Sequence, residues 1–141
     1  MDSVMAVGLD DAQRVLVVED SADLRELLTI QLSHGGYEVF CANNGLEALD
    51  AVEHIDPHLV LADVRMPLLS GTDMTRKLRA TSRFATLPVV LYTGINVENN
   101  SDIQDALTLP LVRCVQKGAL MTVVLAALAE LSAAARCAIP T

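Results

Sequence analysis

The sequence predicts an α/β domain in which helices cover both faces of a mostly parallel β-sheet. Short runs of β-branched and aliphatic residues alternate along the chain with segments of helical periodicity, as they do in parallel sheets with crossover helices. Two of these runs, HLVLA (His58–Ala62) and PVVLY (Pro88–Tyr92), are apolar almost throughout. Continuous apolar runs are typical of central strands that are buried on both faces.

Each predicted strand combines high β-propensity with a length of about five residues. Helices are predicted in the intervals between the strands and after the last one, which gives a regular βα alternation. The five predicted strands are Arg14–Val18, Tyr37–Ala42, His58–Ala62, Pro88–Tyr92 and Val112–Gln116.

Start signals support the first three helices. Ser21 is a favourable N-cap for the first helix, and Asn44 with Glu47 resembles a capping box for the second. Thr72 and Asp73 are predicted to open the third helix. The residues expected on the apolar faces of these helices are Leu24, Leu27, Leu28, Leu46, Leu49, Val52, Met74 and Leu78.

The last two helical segments differ in strength. Val97–Leu107 is rich in Asn, which competes for backbone hydrogen bonds, so we expect a short or mobile helix there. The final helix is predicted over Ala119–Arg136. Its expected buried positions are Leu120, Val123, Val124, Ala127, Leu128 and Leu131.

Length and composition indicate one domain with an aliphatic core. The chain has 141 residues, of which 52% are hydrophobic and only 3% are aromatic. We expect a flexible N-terminal tail over residues 1–12, a single domain over residues 13–136 and a C-terminal tail over residues 137–141.

The charge balance limits the possible functions. A net charge of −8 argues against direct nucleic-acid binding, which needs clustered Lys and Arg. No apolar run approaches the roughly 20 residues of a membrane-spanning helix, and the acidic N-terminus does not resemble a signal peptide. The three cysteines form no C-x-x-C pair, so neither a zinc site nor a disulfide framework is indicated. We therefore expect a cytoplasmic protein without membrane contact.

Polar side chains stand at the ends of four predicted strands. Glu19 and Asp20 follow the first strand, Asp63 the third, Thr93 the fourth and Lys117 the fifth. Because the carboxyl ends of parallel strands lie at one edge of the sheet, these groups should come together there.

This set of groups suits phosphoryl chemistry assisted by a metal ion. Crowded carboxylates repel one another, and Mg²⁺, which prefers oxygen ligands, relieves that repulsion. A carboxylate such as Asp63 can act as a nucleophile toward phosphorus. Mg²⁺ and Lys117 can then offset the phosphoryl charge while Thr93 donates a hydrogen bond.

Four motifs in this order, VLVVEDS, LADVRMPLLSG, PVVLYTG and VQKG, resemble the receiver domain of two-component response regulators, the CheY-like family. The resemblance covers about residues 14–134. It implies a flavodoxin-like (βα)5 three-layer sandwich whose five-stranded parallel sheet has the strand order 2-1-3-4-5. It also implies transfer of a phosphoryl group to Asp63 from a phosphohistidine of a sensor histidine kinase or a histidine phosphotransfer protein.

The resemblance also assigns roles by position. Asp20, Asp63 and the backbone carbonyl of Arg65 would bind Mg²⁺, with Glu19 acting through water. Thr93 would be the switch hydroxyl. Lys117 would pair with Asp63 at rest and with the phosphoryl group afterwards, and Pro67 and Gly71 would shape the loop that holds Asp63.

The chain departs from the family pattern at four positions. Cys114 stands where the family usually has a switch aromatic, Gly118 replaces the proline after the lysine, and Pro110 replaces a glycine before the fifth strand. We therefore expect no cis peptide bond after Lys117. Arg65 occupies a position that controls water access to the phosphoryl group, so we expect it to tune phosphoryl lifetime.

We expect a signalling module that promotes only its own phosphorylation and dephosphorylation. Its output would be a contact with an unknown downstream protein through the fourth helix, fifth strand and fifth helix. A degenerate receiver that binds proteins without phosphorylation is the main alternative. Two others are a haloacid-dehalogenase-type phosphohydrolase, whose second Asp is missing here, and a flavin-binding flavodoxin, whose phosphate loop would not be acidic.

Overall fold

A computed structural model describes residues 12–138 of the chain. The strands are β1 (Arg14–Val18), β2 (Glu38–Ala42), β3 (Leu59–Ala62), β4 (Val89–Thr93) and β5 (Val112–Gln116). The helices are α1 (Ala22–His34), α2 (Gly45–Ile55), α3 (Gly71–Ala80), α4 (Ser101–Ala106) and α5 (Met121–Ala138). Short 3₁₀ turns at Ser82–Phe84 and Val97–Asn99 precede β4 and α4.

The five strands form one parallel sheet in the order β2-β1-β3-β4-β5, which confirms the predicted flavodoxin-like fold. β3 and β4 are buried along their whole length, as their continuous apolar sequences predicted. The order reverses between β1 and β3. In such sheets this switch point opens a crevice at the carboxyl ends of the strands.

Alternate residues of the strands enter two separate apolar layers. Leu16 and Val18 of β1 pack with α2, α3 and α4, whereas Val15 and Val17 pack with α1 and α5. Both layers are almost entirely aliphatic, as the composition indicated. Burying one leucine or valine side chain contributes about 1.5–3 kcal/mol, so the two layers hold the strand ends in fixed register.

The predicted helix caps are present, with two differences. The Ser21 side chain accepts a hydrogen bond from Leu24 N at 3.3 Å. Asn44 caps α2, because its side-chain oxygen accepts a hydrogen bond from Glu47 N. The Glu47 carboxylate accepts from the N–H of Asn43 rather than from that of Asn44, so the predicted capping box is displaced by one residue.

The predicted start of α3 at Thr72 was wrong by one residue. Ser70 is the cap, because its hydroxyl accepts a hydrogen bond from Asp73 N at 3.1 Å, and the helix begins at Gly71.

Four leucine and valine positions predicted on buried helix faces are substantially exposed. Leu27 is 49% exposed, Leu46 is 50% exposed, Leu120 is 74% exposed and Val123 is 47% exposed. Leu120 precedes the helix, which begins two residues later than expected. α5 is apolar on nearly every side, so its periodicity did not show which side faces the sheet.

α4 is only six residues long, which confirms the expected short helix. The asparagines that weaken its helix propensity act as caps: Asn96 accepts from Glu98 N, and Asn100 accepts from Ile103 N. Only Ile103 and Ala106 of α4 are buried. Packing therefore holds α4 through one side of the helix only, since its other four residues are exposed.

Charged side chains attach α4 to α3. Arg76 of α3 forms ion pairs with Asp102 at 2.7 Å and Asp105 at 3.1 Å in α4, and with Asp73 in its own helix. The buried Thr72 hydroxyl donates to Asp102 at 2.6 Å, and this bond is the main reason why the pKa of Asp102 is lowered.

Most of the predicted tails lie outside the described residues, which exclude residues 1–11 and 139–141. α5 continues to Ala138, two residues into the predicted C-terminal tail. Across the part of the chain that the structure describes, no helix is both long enough and apolar enough to cross a membrane.

Candidate functional site

The acids at the ends of β1 and β3 meet at the switch point. One carboxylate oxygen from each of Glu19, Asp20 and Asp63 lies within 4.8 Å of the others. Glu19 and Asp63 are buried, whereas Asp20 is exposed. Three carboxylates this close repel one another strongly unless positive charge is placed among them.

Glu19 has the least solvated carboxylate of the three. Its Oε2 accepts a hydrogen bond from Ser21 N at 3.1 Å, but its buried Oε1 receives none from the described residues. Burial raises the pKa of Glu19, although the Ser21 bond opposes that change, and neighbouring Asp63 raises it further. A buried carboxylate oxygen without a donor is costly, so this edge of the site favours a cation.

Asp63 is held by backbone contacts on two sides. Its N–H donates to Val18 O at 3.0 Å, continuing the β1–β3 pairing by one residue. Gly71 packs directly on its carbonyl: a Cβ at that glycine would lie 2.1 Å from Asp63 O. The expected role of Gly71 in the loop therefore has a steric cause, since only glycine fits there.

Lys117 supplies the fixed positive charge of the site. Its Nζ lies 3.0 Å from Asp63 Oδ2 and 3.4 Å from Glu19 Oε1. Partial burial lowers the pKa of Lys117, but the bonds to Asp63 and Glu19 outweigh that effect and the pKa is raised overall. The ammonium group therefore stays charged beside Asp63.

The loop after Lys117 differs from the proline-containing pattern of the family. The described residues contain no cis peptide bond, as expected with Gly118 in place of proline. Gly118 instead has a φ of +98°, a conformation that glycine adopts without steric cost. The backbone N–H of Lys117 donates to Thr93 O at 2.7 Å, which holds the lysine next to the end of β4.

Thr93 is buried at the end of β4 and lines one surface cavity together with Asp63, Arg65 and Lys117. Its Oγ accepts a hydrogen bond from Ile95 N at 3.1 Å, so the hydroxyl group is engaged within its own loop. Arg65 is exposed at the mouth of this cavity and also lines the neighbouring one that contains Asp20.

The donor set fits a small divalent cation. The clustered ligand atoms are three carboxylate oxygens, which are hard donors. One carboxylate, Asp20, is open to solvent, which would allow a bound ion to keep several waters, as Mg²⁺ does. Glu19 Oε1 receives no hydrogen bond and has only the Lys117 ammonium at 3.4 Å, which leaves it able to contact a bound cation as well.

Cys114 is half-buried and packs against the apolar layer that contains α4. Burial raises the pKa of its thiol to about 11, so it behaves as a small apolar side chain at neutral pH. The left-handed residue near Pro110 is Leu111, with a φ of +58°. The conformation that glycine provides in the family is therefore present one residue later.

Gln116 was not anticipated from the sequence. Its Nε2 donates to two backbone carbonyls in the loop after β4, Thr93 O and Ile95 O, each at 2.9 Å. Gln116 lies two positions after Cys114, and residues at this spacing point to the same side of a strand. That spacing is the one sequence feature that could have indicated a role for Gln116 beside the switch position.

A sequence model described as the response regulator receiver domain matches residues 15–129. The DNA-binding response regulator MtrA of Mycobacterium tuberculosis is 43% identical over 82 residues, which are 58% of this chain and 35% of that protein. The sensor kinase/phosphatase CqsS of Vibrio cholerae is 39% identical over 85 residues, 60% of this chain and 12% of that protein. The chain thus spans about a third or less of these relatives.

Solved structures agree with the sequence matches. The receiver domain of a signal transduction histidine kinase from Syntrophus aciditrophicus has a TM-score of 0.78 at 28% identity, covering 87% of this chain and 92% of that one. TrrA from Thermotoga maritima, solved in complex with Mg²⁺-BeF, has a TM-score of 0.73 at 28% identity, covering 84% of this chain and 98% of that one.

The fold and the acidic switch-point site define a CheY-like receiver. The chain belongs to the response regulator receiver family of two-component signalling.

Proposed function

We propose that this receiver accepts a phosphoryl group on Asp63 in a magnesium-dependent reaction and passes the signal on by protein contact. The donor would be a phosphohistidine of a sensor histidine kinase or of a histidine phosphotransfer protein. The observation that carries the proposal is the geometry around Asp63, whose Oδ2 lies 3.0 Å from Lys117 Nζ and within the cluster of three acids.

Asp63 is the proposed nucleophile. One of its carboxylate oxygens forms a bond to phosphorus while the phosphorus–nitrogen bond of the phosphohistidine breaks. The other ring nitrogen of that histidine carries a proton, so the products are an acyl phosphate and a neutral imidazole. Lys117, already 3.0 Å from this carboxylate, would offset the charge on the phosphoryl oxygens. Thr93, in the same cavity, would donate its hydroxyl hydrogen to one of those oxygens.

Asp20, Asp63 and the Arg65 carbonyl would hold Mg²⁺, with Glu19 contributing through water. The ion would supply positive charge against the carboxylates and the phosphoryl group. Exposed Arg65, at the mouth of the cavity, would hinder the approach of hydrolytic water and so lengthen the life of the acyl phosphate.

The partners follow from the same proposal. A phosphohistidine donor must reach the carboxyl edge of the sheet, where Asp63 is 8% exposed. The downstream protein would bind the side formed by α4, β5 and α5. Direct nucleic-acid binding by this chain is not proposed, because its net charge of −8 opposes contact with phosphates.

Intact-mass measurement after incubation with acetyl phosphate and Mg²⁺ tests the proposal. We expect a single phosphoryl adduct on the wild-type chain that disappears with EDTA and in Asp63→Asn. Asp50→Asn, which changes an exposed acid of α2, is the matched control and should keep the adduct.

A chain without an adduct would be tested again on ice with a purified histidine-kinase donor, which excludes rapid hydrolysis. Absence under both conditions would contradict the proposal. It would favour a phosphorylation-independent binding module, with Cys114 and Gly118 as the leading explanation.

A further inference from the structure

The Gln116 side chain connects the edge strand β5 to the loop that carries Thr93. Its amide nitrogen donates two hydrogen bonds, to Thr93 O and to Ile95 O, each 2.9 Å long. These carbonyls belong to residues on either side of Gly94. One side chain thus fixes the backbone on both sides of the residue that follows Thr93.

The loop is held in a conformation in which the Thr93 hydroxyl is already engaged. Ile95 N donates to Thr93 Oγ at 3.1 Å, and Gln116 fixes the carbonyl of the same Ile95. For Thr93 to turn toward a phosphoryl group on Asp63, this local arrangement must loosen. The Gln116 bonds therefore favour the loop conformation of the unphosphorylated protein.

Packing leaves open space beside Gly94, although Ile95 next to it packs against the apolar layer. A Cβ placed on Gly94 would meet no heavy atom within 4 Å. Thr93 O also accepts a backbone hydrogen bond from Lys117 N, so the bond to Ile95 O is the contact by which Gln116 reaches past Gly94. Without that bond the backbone at Gly94 has space in which to change conformation.

Gln116 also lies between the loop after β4 and the surface formed by α4 and β5. It is exposed, and it lines a surface groove together with Cys114, Val97 and Leu107. Cys114 and Gln116 lie on the same side of β5 because they are two residues apart in a strand. The half-buried thiol is too small to take the part of a switch aromatic, and the glutamine reaches the loop directly.

We propose that Gln116 is a positioning residue that stabilises the resting conformation of the Thr93–Ile95 loop and couples it to the side formed by α4 and β5. The inference rests on the proposed phosphorylation of Asp63. A partner or substitution that withdraws the Gln116 amide should release the loop and favour the phosphorylated state.

The test compares Gln116→Met, which keeps the length of the side chain but cannot donate, with Gln116→Lys, which restores a donor. Gln104→Met is the matched control, because Gln104 also donates to a backbone carbonyl near this loop, that of Val97 at 3.0 Å, but contacts neither Thr93 nor Ile95. The probe is beryllofluoride with Mg²⁺, which mimics the phosphoryl group.

Two quantities are measured: the dissociation constant for beryllofluoride and the hydrogen-exchange rate of the Ile95 amide in the free protein. For Gln116→Met we expect about threefold to tenfold tighter binding and exchange faster by a similar factor, since one or two exposed hydrogen bonds are lost. Gln116→Lys and Gln104→Met should stay close to wild type.

Unchanged or weaker binding together with unchanged Ile95 exchange in Gln116→Met would overturn the proposal. A purely structural role would lower stability but would not tighten binding, so weaker binding with faster exchange would overturn it as well. If wild type and all variants fail to bind beryllofluoride, the proposed function fails. Ile95 exchange then still decides whether Gln116 holds the loop.

Discussion

The carboxyl edge of the sheet and the side formed by α4 and β5 are built by different means. At the edge, Asp63 is fixed by strand pairing, by a glycine that leaves no space and by an ion pair with Lys117. The α4–β5 side has a helix of six residues, held by two buried side chains and by the Arg76 ion pairs, and a glutamine in contact with the loop after β4.

In the proposed function, the edge carries the groups for chemistry and the α4–β5 side carries the groups for read-out. Asp63, Thr93 and Lys117 are buried or half-buried at the edge, although two departures from the family pattern, Arg65 and Gly118, also lie there. The α4–β5 side departs from the pattern at Pro110 and Cys114. Neither of these two changes removes a group that would contact phosphate.

The largest effect is expected from Gly71→Ala. The added Cβ would lie 2.1 Å from Asp63 O, so the loop or the end of β3 must move. We expect a loss of about 3 kcal/mol in the free energy of unfolding, which urea denaturation would measure. The rate of phosphorylation should also fall, because Asp63 is displaced.

Gly94→Ala is the control for that substitution, since a Cβ at Gly94 meets nothing within 4 Å. Its unfolding free energy should stay within about 0.5 kcal/mol of wild type. Equal losses in the two variants would show that contact with Asp63 is not the cause.

Lys117→Met should slow phosphorylation by acetyl phosphate about a hundredfold, because the fixed charge near Asp63 Oδ2 is removed. Time-resolved intact-mass measurement would follow the adduct. The fold should persist, because the Lys117 side chain is 30% exposed and its bond to Thr93 O is a backbone bond. A rate within twofold of wild type would contradict a role for the ammonium in transfer.

The reactivity of Cys114 tests whether its thiol is buried on the α4–β5 side. With its pKa raised to about 11, the thiol should react with iodoacetamide about tenfold more slowly at pH 8 than an ordinary cysteine, because little thiolate is present. Reactivity should increase as the pH rises toward the pKa. Peptide mapping at pH 8 and pH 10, with a short end-blocked cysteine peptide as the reference, would measure this.

An increase of about a hundredfold between those pH values is expected for Cys114, against only a few-fold for the reference. A Cys114 profile that matches the reference would show that the thiol is not desolvated. Cys114→Ser would identify its peptide without ambiguity.

The parallel sheet and the meeting of the acids could be predicted because both depend on the strands and their ends, which apolar runs mark clearly. The strand order came only from the resemblance to the receiver family. Asp63 follows a fully buried strand, so its placement needed only the parallel topology. The exposed side of α5 could not be predicted, because Val123 and Val124 are chemically alike and only packing distinguishes them.

The contacts of Gln116 and Arg76 also could not be predicted from the sequence. Each joins residues more than 20 positions apart through a long flexible side chain, and no periodicity marks such a pair. The starting residue of α3 was missed for a related reason. Ser70, Thr72 and Asp73 are all acceptable caps, and the tight fit of Gly71 decided among them.

The attachment of α4 through Arg76 makes this helix responsive to the surrounding electrolyte. Its ion pairs with Asp102 and Asp105 are partly open to solvent, where dissolved salt screens charges over about 10 Å at 0.1 M ionic strength. The apolar contacts of Ile103 and Ala106 do not depend on these charges. Raising the salt concentration would therefore weaken the link between α3 and α4, while α4 stays packed on the core and Asp63 stays at the end of β3.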